Sequence, residues 1–454
     1  MLNFADIQGT LLRGYNYPQI RFFLFRIDDA AGARELCRKL LPGSGAPLTV
    51  TSAQTWQEKP PFCLTVGVTS GGLKKLIGAQ GYAAVQNRTA GDYFTPFDAG
   101  AVNRASQVGD VGASAPQHWW KNGGARLPTP PSADDLDLLI ALYTQNPMDR
   151  ERFSEALLGM VPLGADSKPS AVAAFVQDSD VLANPGAPGP SRKIHFGYTD
   201  GISQPRLQDS AGHDVVEPEP GDDRPGVPVT SFVMMRPQAF IHPLLENGSY
   251  AAFRLLYQDV AAFNAHINAQ NGDPNLAAAK MCGRWFNGTP LAVAPDKPLE
   301  NPSEHALESF NYLPTDGDGS RCPYAAHIRR TNPRNDTFVK GNEFYPAPSS
   351  QMHRILRRAA PYGPEYSEST ADAQRGLVGL FIGTKLRDQF EFVMNTWIGQ
   401  GGFRNGQPAE VDPLFAPDAL GSLHSFIRTD GALYVFLPGI AGLTQIAQGR
   451  VAPG

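Results

Sequence analysis

The chain has 454 residues, of which 42% are hydrophobic and 18% charged, a composition typical of a globular protein long enough for two domains. The net charge of −5 and the lack of a run of basic residues argue against nucleic acid or an anionic membrane surface as a partner. The four cysteines lie far apart, so their spacing indicates neither a zinc site nor a redox pair. No visible signal peptide or membrane span is present, which predicts a cytoplasmic protein or a mature secreted form.

The first half of the chain has the pattern of alternating strands and helices. Strands are predicted where β-branched and aromatic residues cluster, at 19–27, 62–68 and 134–145. Helices are predicted where apolar residues recur at helical spacing, at 30–41, 71–77 and 149–160. Glycine, proline and small polar residues predict a long surface excursion over 91–131, pinned by Trp119 and Trp120, and a loop-rich stretch over 164–190. This β-α-β order predicts a ferredoxin-like domain over 1–209.

The second half repeats the pattern after a segment rich in proline and glycine, 210–228, that resembles a linker. The predicted strands are 231–236, 248–258, 376–383 and 432–437. The predicted helices are 260–270 and 390–398. The fold class is therefore predicted to be α+β, with two ferredoxin-like (split β-α-β) domains of antiparallel sheets, 1–209 and 210–454.

One stretch of the second half, 321–334, places a single histidine, His327, among arginines. Pro323 suits the first position of a short helix that would end at Asn332 and Pro333. Haem would suit such a stretch, because its iron takes an axial histidine and its propionates take arginine. The alternative is a capped helix with a core histidine and a solvated basic face.

Two further stretches contain charged residues in unusual surroundings. In 196–201, Asp200 lies between glycines, which let the backbone approach a flat ligand and direct one carboxylate at it, although an ordinary turn has the same pattern. In 353–363, Arg357 and Arg358 follow the apolar pair 355–356, so a guanidinium that turned inward would need an anionic partner. A charged face beside a buried pair is the alternative for the second stretch.

Taken together and in this order, the three stretches resemble the dye-decolourising peroxidases, a family of haem peroxidases. Other stretches that are similar to landmarks of this family are 6–9, 247–250, 279–285 and 389–392. The resemblance therefore spans nearly the whole chain. The length and the long insertions are more similar to the larger fungal-type and related bacterial members than to the compact ones.

The resemblance implies haem b (iron protoporphyrin IX) in the C-terminal half. The residues that it implies around the haem are His327 as the iron ligand, Arg329 at a propionate, and Gly201 and Leu377 as further haem-binding residues. Asp200 would shuttle a proton during peroxide cleavage, and Arg357 would stabilise the negative charge that develops. Arg357 is assigned rather than Arg358 because the distal arginine of the family matches the first residue of the pair.

The function that the resemblance implies is that of a haem peroxidase, which uses hydrogen peroxide to oxidise dyes, phenols and similar aromatic donors through a ferryl intermediate. Trp397 is a candidate surface residue for electron transfer, and a core tryptophan on an amphipathic helix is the alternative. The expected partners are hydrogen peroxide and small aromatic or dye reductants, without nucleic acid or membrane, and homo-oligomerisation is left open. The alternative function is a haem-handling protein, for iron removal or for haem cargo or storage, with incidental peroxidase activity.

Two departures from the family pattern bear on the haem pocket. The run 357–359 is Arg-Arg-Ala where the family often has Arg-Arg-Gly. The run 377–379 is Leu-Val-Gly where the family often places leucine and phenylalanine, so the distal pocket is expected to lose a ring and to widen. Glu391 and Asp430 are the candidates for the acidic partner of the proximal histidine.

Overall fold

The computed structural model describes residues 2–120, 135–164, 166–182, 193–217, 222–236, 240–336, 338–340, 343–345, 347–399, 411–415 and 426–451. Parts of four predicted segments lie outside the described residues, namely 121–131 of the surface excursion, 134 of the strand 134–145, 165 and 183–190 of the loop-rich stretch, and 218–221 of the linker.

The secondary structure of these residues is a mixture of helices and mostly antiparallel strands. The strands are β1 (Gln19–Ile27), β2 (Phe62–Val68), β3 (Leu138–Thr144), β4 (Ala171–Asp180), β5 (Leu207–Gln208), β6 (Val227–Pro228), β7 (Ser249–Gln258), β8 (Phe338–Lys340), β9 (Glu343–Tyr345), β10 (Leu356–Tyr362), β11 (Gly376–Gly383) and β12 (Ile427–Leu437). The α-helices are α1 (Gly9–Leu12), α2 (Ala30–Lys39), α3 (Ser70–Asn87), α4 (Gly91–Asn103), α5 (Pro147–Gly159), α6 (Val260–Asn268), α7 (Pro274–Cys282), α8 (Glu304–Glu308), α9 (His327–Thr331) and α10 (Ile440–Gln448). Two π-helical segments follow β11, at Arg387–Glu391 and Val393–Ile398.

An eight-stranded sheet is the centre of the fold, with the order β10-β11-β7-β12-β2-β3-β1-β4. It consists of two four-stranded halves, and in each half the strands lie in the order second, third, first, fourth along the chain, as in a split β-α-β unit. The halves join edge to edge where Phe436 of β12 pairs with Val68 of β2. The predicted α+β fold with two ferredoxin-like units is confirmed, whereas the boundary at 209/210 stays a prediction.

The outer strands of the two halves also meet, so the sheet curls back on itself. The hydroxyl of Ser179 in β4 donates a hydrogen bond to the carbonyl oxygen of Pro361 in β10 at 2.7 Å. As a result, the edge strand of the second half faces residues of the first half across a seam.

Several local predictions are confirmed and four are wrong. The strands predicted at 19–27, 62–68 and 376–383 have the predicted bounds. The stretch predicted to be rich in loops, 164–190, contains β4, whose apolar run is short and flanked by proline and glycine. Residues 91–103 of the predicted surface excursion form α4, which buries Phe94 and Phe97. Residues 231–236 form no strand, since residue 231 ends a 3-10 turn and, among the described residues, Met234 bonds through its backbone only to the turn residues Asn247 and Gly248. The helix of the histidine stretch begins at His327 and not at Pro323.

The N-terminal stretch 6–9 holds the two halves together at their junction. Gln8 is fully buried and its amide nitrogen donates to the carbonyl oxygens of Val66 and Pro438, at 2.8 Å each, while its amide oxygen accepts from the Val66 nitrogen at 2.9 Å. The carboxylate of Asp6 accepts hydrogen bonds from the side chain of Asn247 at 2.7 Å and from the backbone nitrogen of Ala441 at 2.6 Å. One short segment therefore binds both sides of the β2–β12 contact.

No helix among the described residues combines the length and the apolar character that crossing a membrane would require.

Replacing Gln8 by alanine should lower the free energy of unfolding by about 2–3 kcal/mol, because three buried backbone groups lose their partner. Urea unfolding of the protein without added ligand, followed by circular dichroism, measures the change. Gln57→Ala is the matched control, since Gln57 is exposed. A loss of stability equal to that of the control would mean that Gln8 does not hold the junction.

Candidate functional site

The three stretches singled out in the sequence meet at one cavity of about 240 Å³, here called the inner cavity. The second half of the sheet supplies one wall, in which Leu256 of β7 pairs with Leu377 of β11 and Phe381 of β11 pairs with Arg357 of β10. Helix α9 and the segment 411–415 supply another wall. The loop 194–203 closes the cavity, and its Phe196 and Tyr198 pack with residues of the second half.

His327 is the first residue of α9 and lines the inner cavity. Its Nδ1 atom lies 2.7 Å from the Oδ2 atom of Asp412, whose side chain is fully buried, and the other carboxylate oxygen accepts from the Leu414 nitrogen at 3.0 Å. A carboxylate on Nδ1 fixes the orientation and tautomer of an imidazole and leaves Nε2 as the ligating atom. Phe415 stacks on the imidazole, with ring centroids 5.7 Å apart.

The acidic partner of His327 is Asp412, so the two candidates taken from the sequence, Glu391 and Asp430, are wrong. Glu391 is bound by both Nε and Nη2 of Arg104 and accepts from the Tyr434 hydroxyl at 3.0 Å. Asp430 is bound by Arg428 at 2.6 Å. Asp412 lies 85 residues from His327 in the chain, and no local pattern relates the two.

Asp200 and Arg357 both line the inner cavity, and their nearest charged atoms lie 3.8 Å apart. Arg357 is held in place by donating from Nη2 to the carbonyl oxygen of Ile202 at 2.6 Å. The side-chain amide of Gln204 pairs with the backbone nitrogen and oxygen of Arg357, at 3.2 Å each. The two side chains are more than a third exposed, so both are accessible to a small molecule.

Leu377 lines the inner cavity, whereas Gly201 lines a second, larger cavity beside it. Gly201 has φ of +79°, a conformation in which glycine is favoured, and this turn carries the chain from Asp200 into the loop that receives Arg357. The glycine at 379 does not widen the inner cavity. A Cβ atom on Gly379 would lie 2.3 Å from the backbone oxygen of Arg358, so a ring there would overlap β10, and Phe381 supplies an aromatic ring to the inner cavity instead.

Arg329 does not line the inner cavity, which corrects the expectation that it faces a propionate. It is fully buried, and its guanidinium donates to the carboxylates of Asp336 at 2.6 Å and Asp316 at 3.0 Å. Trp397 is also fully buried, packed edge-on against His353 and Phe392 with ring centroids 5.2 Å away in each case. The expectation of a surface residue is therefore corrected in favour of the alternative, a core tryptophan.

Three arginines to which the sequence analysis assigned no role, Arg284, Arg334 and Arg354, line the inner cavity around Ser203. Arg334 and Arg354 are half-buried, and within the described part of the chain they donate to uncharged oxygens, among them the Ser203 hydroxyl for Arg334 and the Ser203 carbonyl for Arg354. Neither forms an ion pair with a carboxylate among the described residues. Burial, with the charges of neighbouring arginines, lowers the pKa of Arg334 to about 10 and the pKa of Arg354 to about 9.

Part of the lining of the inner cavity is polar, since Ser203 and Asn332 accompany these arginines. Elsewhere the lining is mainly aliphatic and aromatic, including Leu256, Leu377, Phe381, Leu414, Phe415 and Ile427. Such a cavity suits a flat apolar ligand that has anionic groups along one edge.

Comparison with known proteins shows similarity along the whole chain. The chain is 27% identical to a dye-decolorizing peroxidase of Exidia glandulosa, over 98% of this chain and 87% of that protein. It is 26% identical to the multifunctional dye peroxidase DyP2 of Amycolatopsis, over 97% of this chain and 95% of that protein. No protein-family model matches the chain.

Solved structures have the same fold. The crystal structure of a fungal DyP-type peroxidase from Auricularia auricula-judae superposes with a TM-score of 0.78 at 22% identity, covering 98% of this chain and 99% of that one. A dye-decolorizing peroxidase in complex with 2,6-dimethoxyphenol superposes with a TM-score of 0.77 at 23% identity, covering 98% and 100%. The predicted resemblance is confirmed in sequence and in fold.

Replacing Arg329 by methionine should lower the free energy of unfolding by about 3–5 kcal/mol, because the carboxylates of Asp316 and Asp336 would remain buried without a cation. Urea unfolding of the ligand-free protein measures the loss. Arg321→Met, in the same stretch but partly exposed, is the control and should cost far less. Equal losses in the two variants would mean that the buried ion pairs of Arg329 are not a main source of stability.

Proposed function

From the premise that the chain resembles the dye-decolourising peroxidases in sequence and fold, we propose that it is a haem peroxidase that oxidises dyes, phenols and similar aromatic donors with hydrogen peroxide. The observation that carries the proposal is the inner cavity, where a histidine oriented by a carboxylate and an aspartate–arginine pair line the same space. The similarity to peroxidases over the full chain supports the same function.

The residues of the inner cavity fit haem b. Because Nδ1 of His327 is bound by Asp412, Nε2 is the atom available to the iron, and the buried carboxylate would raise its basicity as a ligand. The apolar lining fits a porphyrin ring. Arg334 and Arg354, rather than Arg329, would hold the propionates, because these two guanidinium groups form no ion pair with a carboxylate among the described residues.

Bound haem would supply an iron centre that accepts the oxidising equivalents of peroxide and passes them to donors. Asp200 would accept the proton of hydrogen peroxide and return it to the departing oxygen. Arg357 would stabilise the negative charge on that oxygen. Because its hydrogen bonds to Ile202 and Gln204 already hold it in place, the guanidinium would need little reorganisation during the reaction. A haem carrier or store has no need of this pair, so the pair favours the peroxidase over the haem-handling alternative.

The haem-loaded protein is the material that tests this function. Asp200→Asn and Arg357→Leu should each retain haem, with a normal Soret band, while the rate at which hydrogen peroxide changes that band should fall by about 10²–10⁴-fold and 10²–10³-fold. Stopped-flow absorption measures the rate, and oxidation of 2,6-dimethoxyphenol measures turnover. Gln258→Asn, in the cavity lining but on neither charged residue, is the control for altered packing.

Two results would contradict the proposal. If both variants react with peroxide as fast as the unaltered protein, the pair is not the acid–base machinery. If the unaltered protein loses its Soret band within a few turnovers while iron is released, haem is the substrate and the haem-handling alternative is correct.

Haem whose two propionates are methyl esters should bind the haem-free protein at least about tenfold more weakly than haem, because Arg334 and Arg354 then lose their anionic partners. Soret titration gives both dissociation constants. Arg334→Leu should reduce the difference between the two ligands, whereas Arg152→Leu, on exposed α5, should leave it unchanged. If Arg334→Leu prefers haem over its ester as strongly as the unaltered protein does, Arg334 does not hold a propionate.

A further inference from the structure

A second cavity of about 700 Å³ lies beside the inner cavity, at the seam between the two halves of the sheet, and is here called the outer cavity. Asp200, Arg357 and Ala359 line both cavities, so the outer cavity adjoins the proposed reaction site. Glu308, the last residue of α8, also lines the outer cavity. Its side chain therefore borders the same space as the proposed acid–base pair, although the proposed mechanism gives it no role.

The carboxylate of Glu308 holds the backbone of the loop that follows Asp200. Its Oε1 atom accepts a hydrogen bond from the backbone nitrogen of Ser203 at 2.8 Å. Ser203 has φ of +62°, a left-handed conformation that is unfavourable for a residue with a side chain. A hydrogen bond between a carboxylate and a backbone N–H is stronger than one between neutral groups, so Glu308 stabilises this turn of the chain.

The same carboxylate binds Arg224, which holds the next residue of the loop. The Oε2 atom of Glu308 forms an ion pair with Nη1 of Arg224, and this Nη1 atom also donates to the carbonyl oxygen of Gln204 at 3.0 Å. Asp222 accepts from the Nε and Nη2 atoms of Arg224 at 2.8 Å and 2.7 Å, which fixes the other side of the guanidinium. Glu308 thus acts on two consecutive residues of the loop.

The residues next to these contacts are the ones that fix Arg357. The side-chain amide of Gln204 pairs with the backbone of Arg357, and the carbonyl oxygen of Ile202 accepts from its guanidinium at 2.6 Å. Asp200 precedes Ile202 by two residues in the same loop. A displacement of Ser203 would therefore move both groups that hold Arg357 and change the geometry of the proposed acid–base pair.

Three arginines meet at the same loop. Arg284 and Arg334 each donate to the Ser203 hydroxyl at 3.1 Å, and Arg354 donates to the Ser203 carbonyl oxygen at 2.7 Å. Burial lowers the pKa of all three, and the negative charge of Glu308 opposes this lowering in each case. Glu308 thus also supplies a negative charge where these cations come together.

We propose that Glu308 is a positioning residue for the peroxide reaction and that it acts by holding the loop that connects Asp200 with the groups that bind Arg357. It does so directly at Ser203 and indirectly through its ion pair with Arg224. This inference rests on the proposed function, since it assigns the residue that orients the proposed acid–base pair. Glu308 takes no part in the proton transfer itself.

Three substitutions separate the hydrogen bond of Glu308 from its charge. Glu308→Gln retains an oxygen that can accept from the Ser203 nitrogen, while Arg224 keeps its bonds to Asp222. Glu308→Asp retains the charge, but its side chain is one methylene shorter and cannot reach both partners. Glu308→Ala removes the hydrogen bond and the charge. Glu304→Ala, at an exposed residue one turn earlier in α8, is the matched control.

Hydrogen exchange of the haem-loaded protein, followed by mass spectrometry on overlapping peptides of 200–206, measures how firmly the loop is held. In Glu308→Ala, the Ser203 amide hydrogen should exchange at least about tenfold faster than in the unaltered protein, because its acceptor is gone. In Glu308→Gln, the exchange rate should stay within about threefold of that of the unaltered protein. Glu304→Ala should leave the exchange unchanged.

Stopped-flow absorption measures the consequence for the reaction. The rate at which hydrogen peroxide changes the Soret band should fall about tenfold or more in Glu308→Ala, since a misplacement of about 1 Å can lower a rate about 10²-fold. It should stay within about threefold in Glu308→Gln and should not change in Glu304→Ala. The rate at which 2,6-dimethoxyphenol then restores the band should change by less than about twofold in every variant, because the acid–base pair acts on peroxide and not on the donor. A general loss of packing would lower both rates.

Unchanged exchange in Glu308→Ala would overturn the inference, as would faster exchange at an unchanged rate of the peroxide reaction. If Glu308→Ala does not fold, the other two variants decide. Glu308→Gln should then react faster with peroxide than Glu308→Asp, and an equal or reversed order would show that the hold on Ser203 is not what matters. Failure of the unaltered haem-loaded protein to react with peroxide would instead overturn the proposed function, while hydrogen exchange would still show whether Glu308 holds the loop.

Discussion

The inner cavity depends on two half-buried guanidinium groups, Arg334 and Arg354, for which the described residues supply no ion-pair partner. Two cations without an ion-pair partner are unfavourable neighbours, and an anionic group of a ligand in the inner cavity would compensate them. Arg329, in the same short stretch, is more deeply buried and yet fully paired with Asp316 and Asp336. The contrast separates a structural arginine, which stabilises the fold, from arginines that are available to an anion.

The repetition of the sheet explains where both cavities lie. In the first half of the sheet, every residue of β3 is buried. In the second half, the faces of β7, β10 and β11 border a cavity. Because the outer strands β4 and β10 also meet, the seam between the halves brings tyrosines of one half next to arginines of the other. The outer cavity is thus a product of joining two similar units and not of either unit alone.

Much of the fold could be predicted from the sequence because strands and helices depend on local pattern, whereas the central residues of the candidate site were predicted from the resemblance of three stretches, taken in order, to a peroxidase family. The cluster of apolar and aromatic residues in 19–27 and the glycines around Asp200 are visible within a few residues. What could not be predicted depends on tertiary pairing. Asp412 approaches His327 from 85 residues away, and a basic stretch does not show which of its arginines turns toward a buried aspartate. The burial of Trp397 likewise depends on His353 and Phe392, which no periodicity relates to it.

The pair Arg357 and Arg358 shows how a strand can supply two sites with the same residue type. Successive side chains of a strand point to opposite faces, so the first arginine borders the inner cavity and the second borders only the outer one. Arg357 stands 3.8 Å from Asp200, which is too far for a hydrogen bond between the two side chains. Arg358 has no such partner among the described residues. Its guanidinium donates instead to the carbonyl oxygens of Thr10 and Arg357, so the two arginines of this strand differ in the groups that hold them.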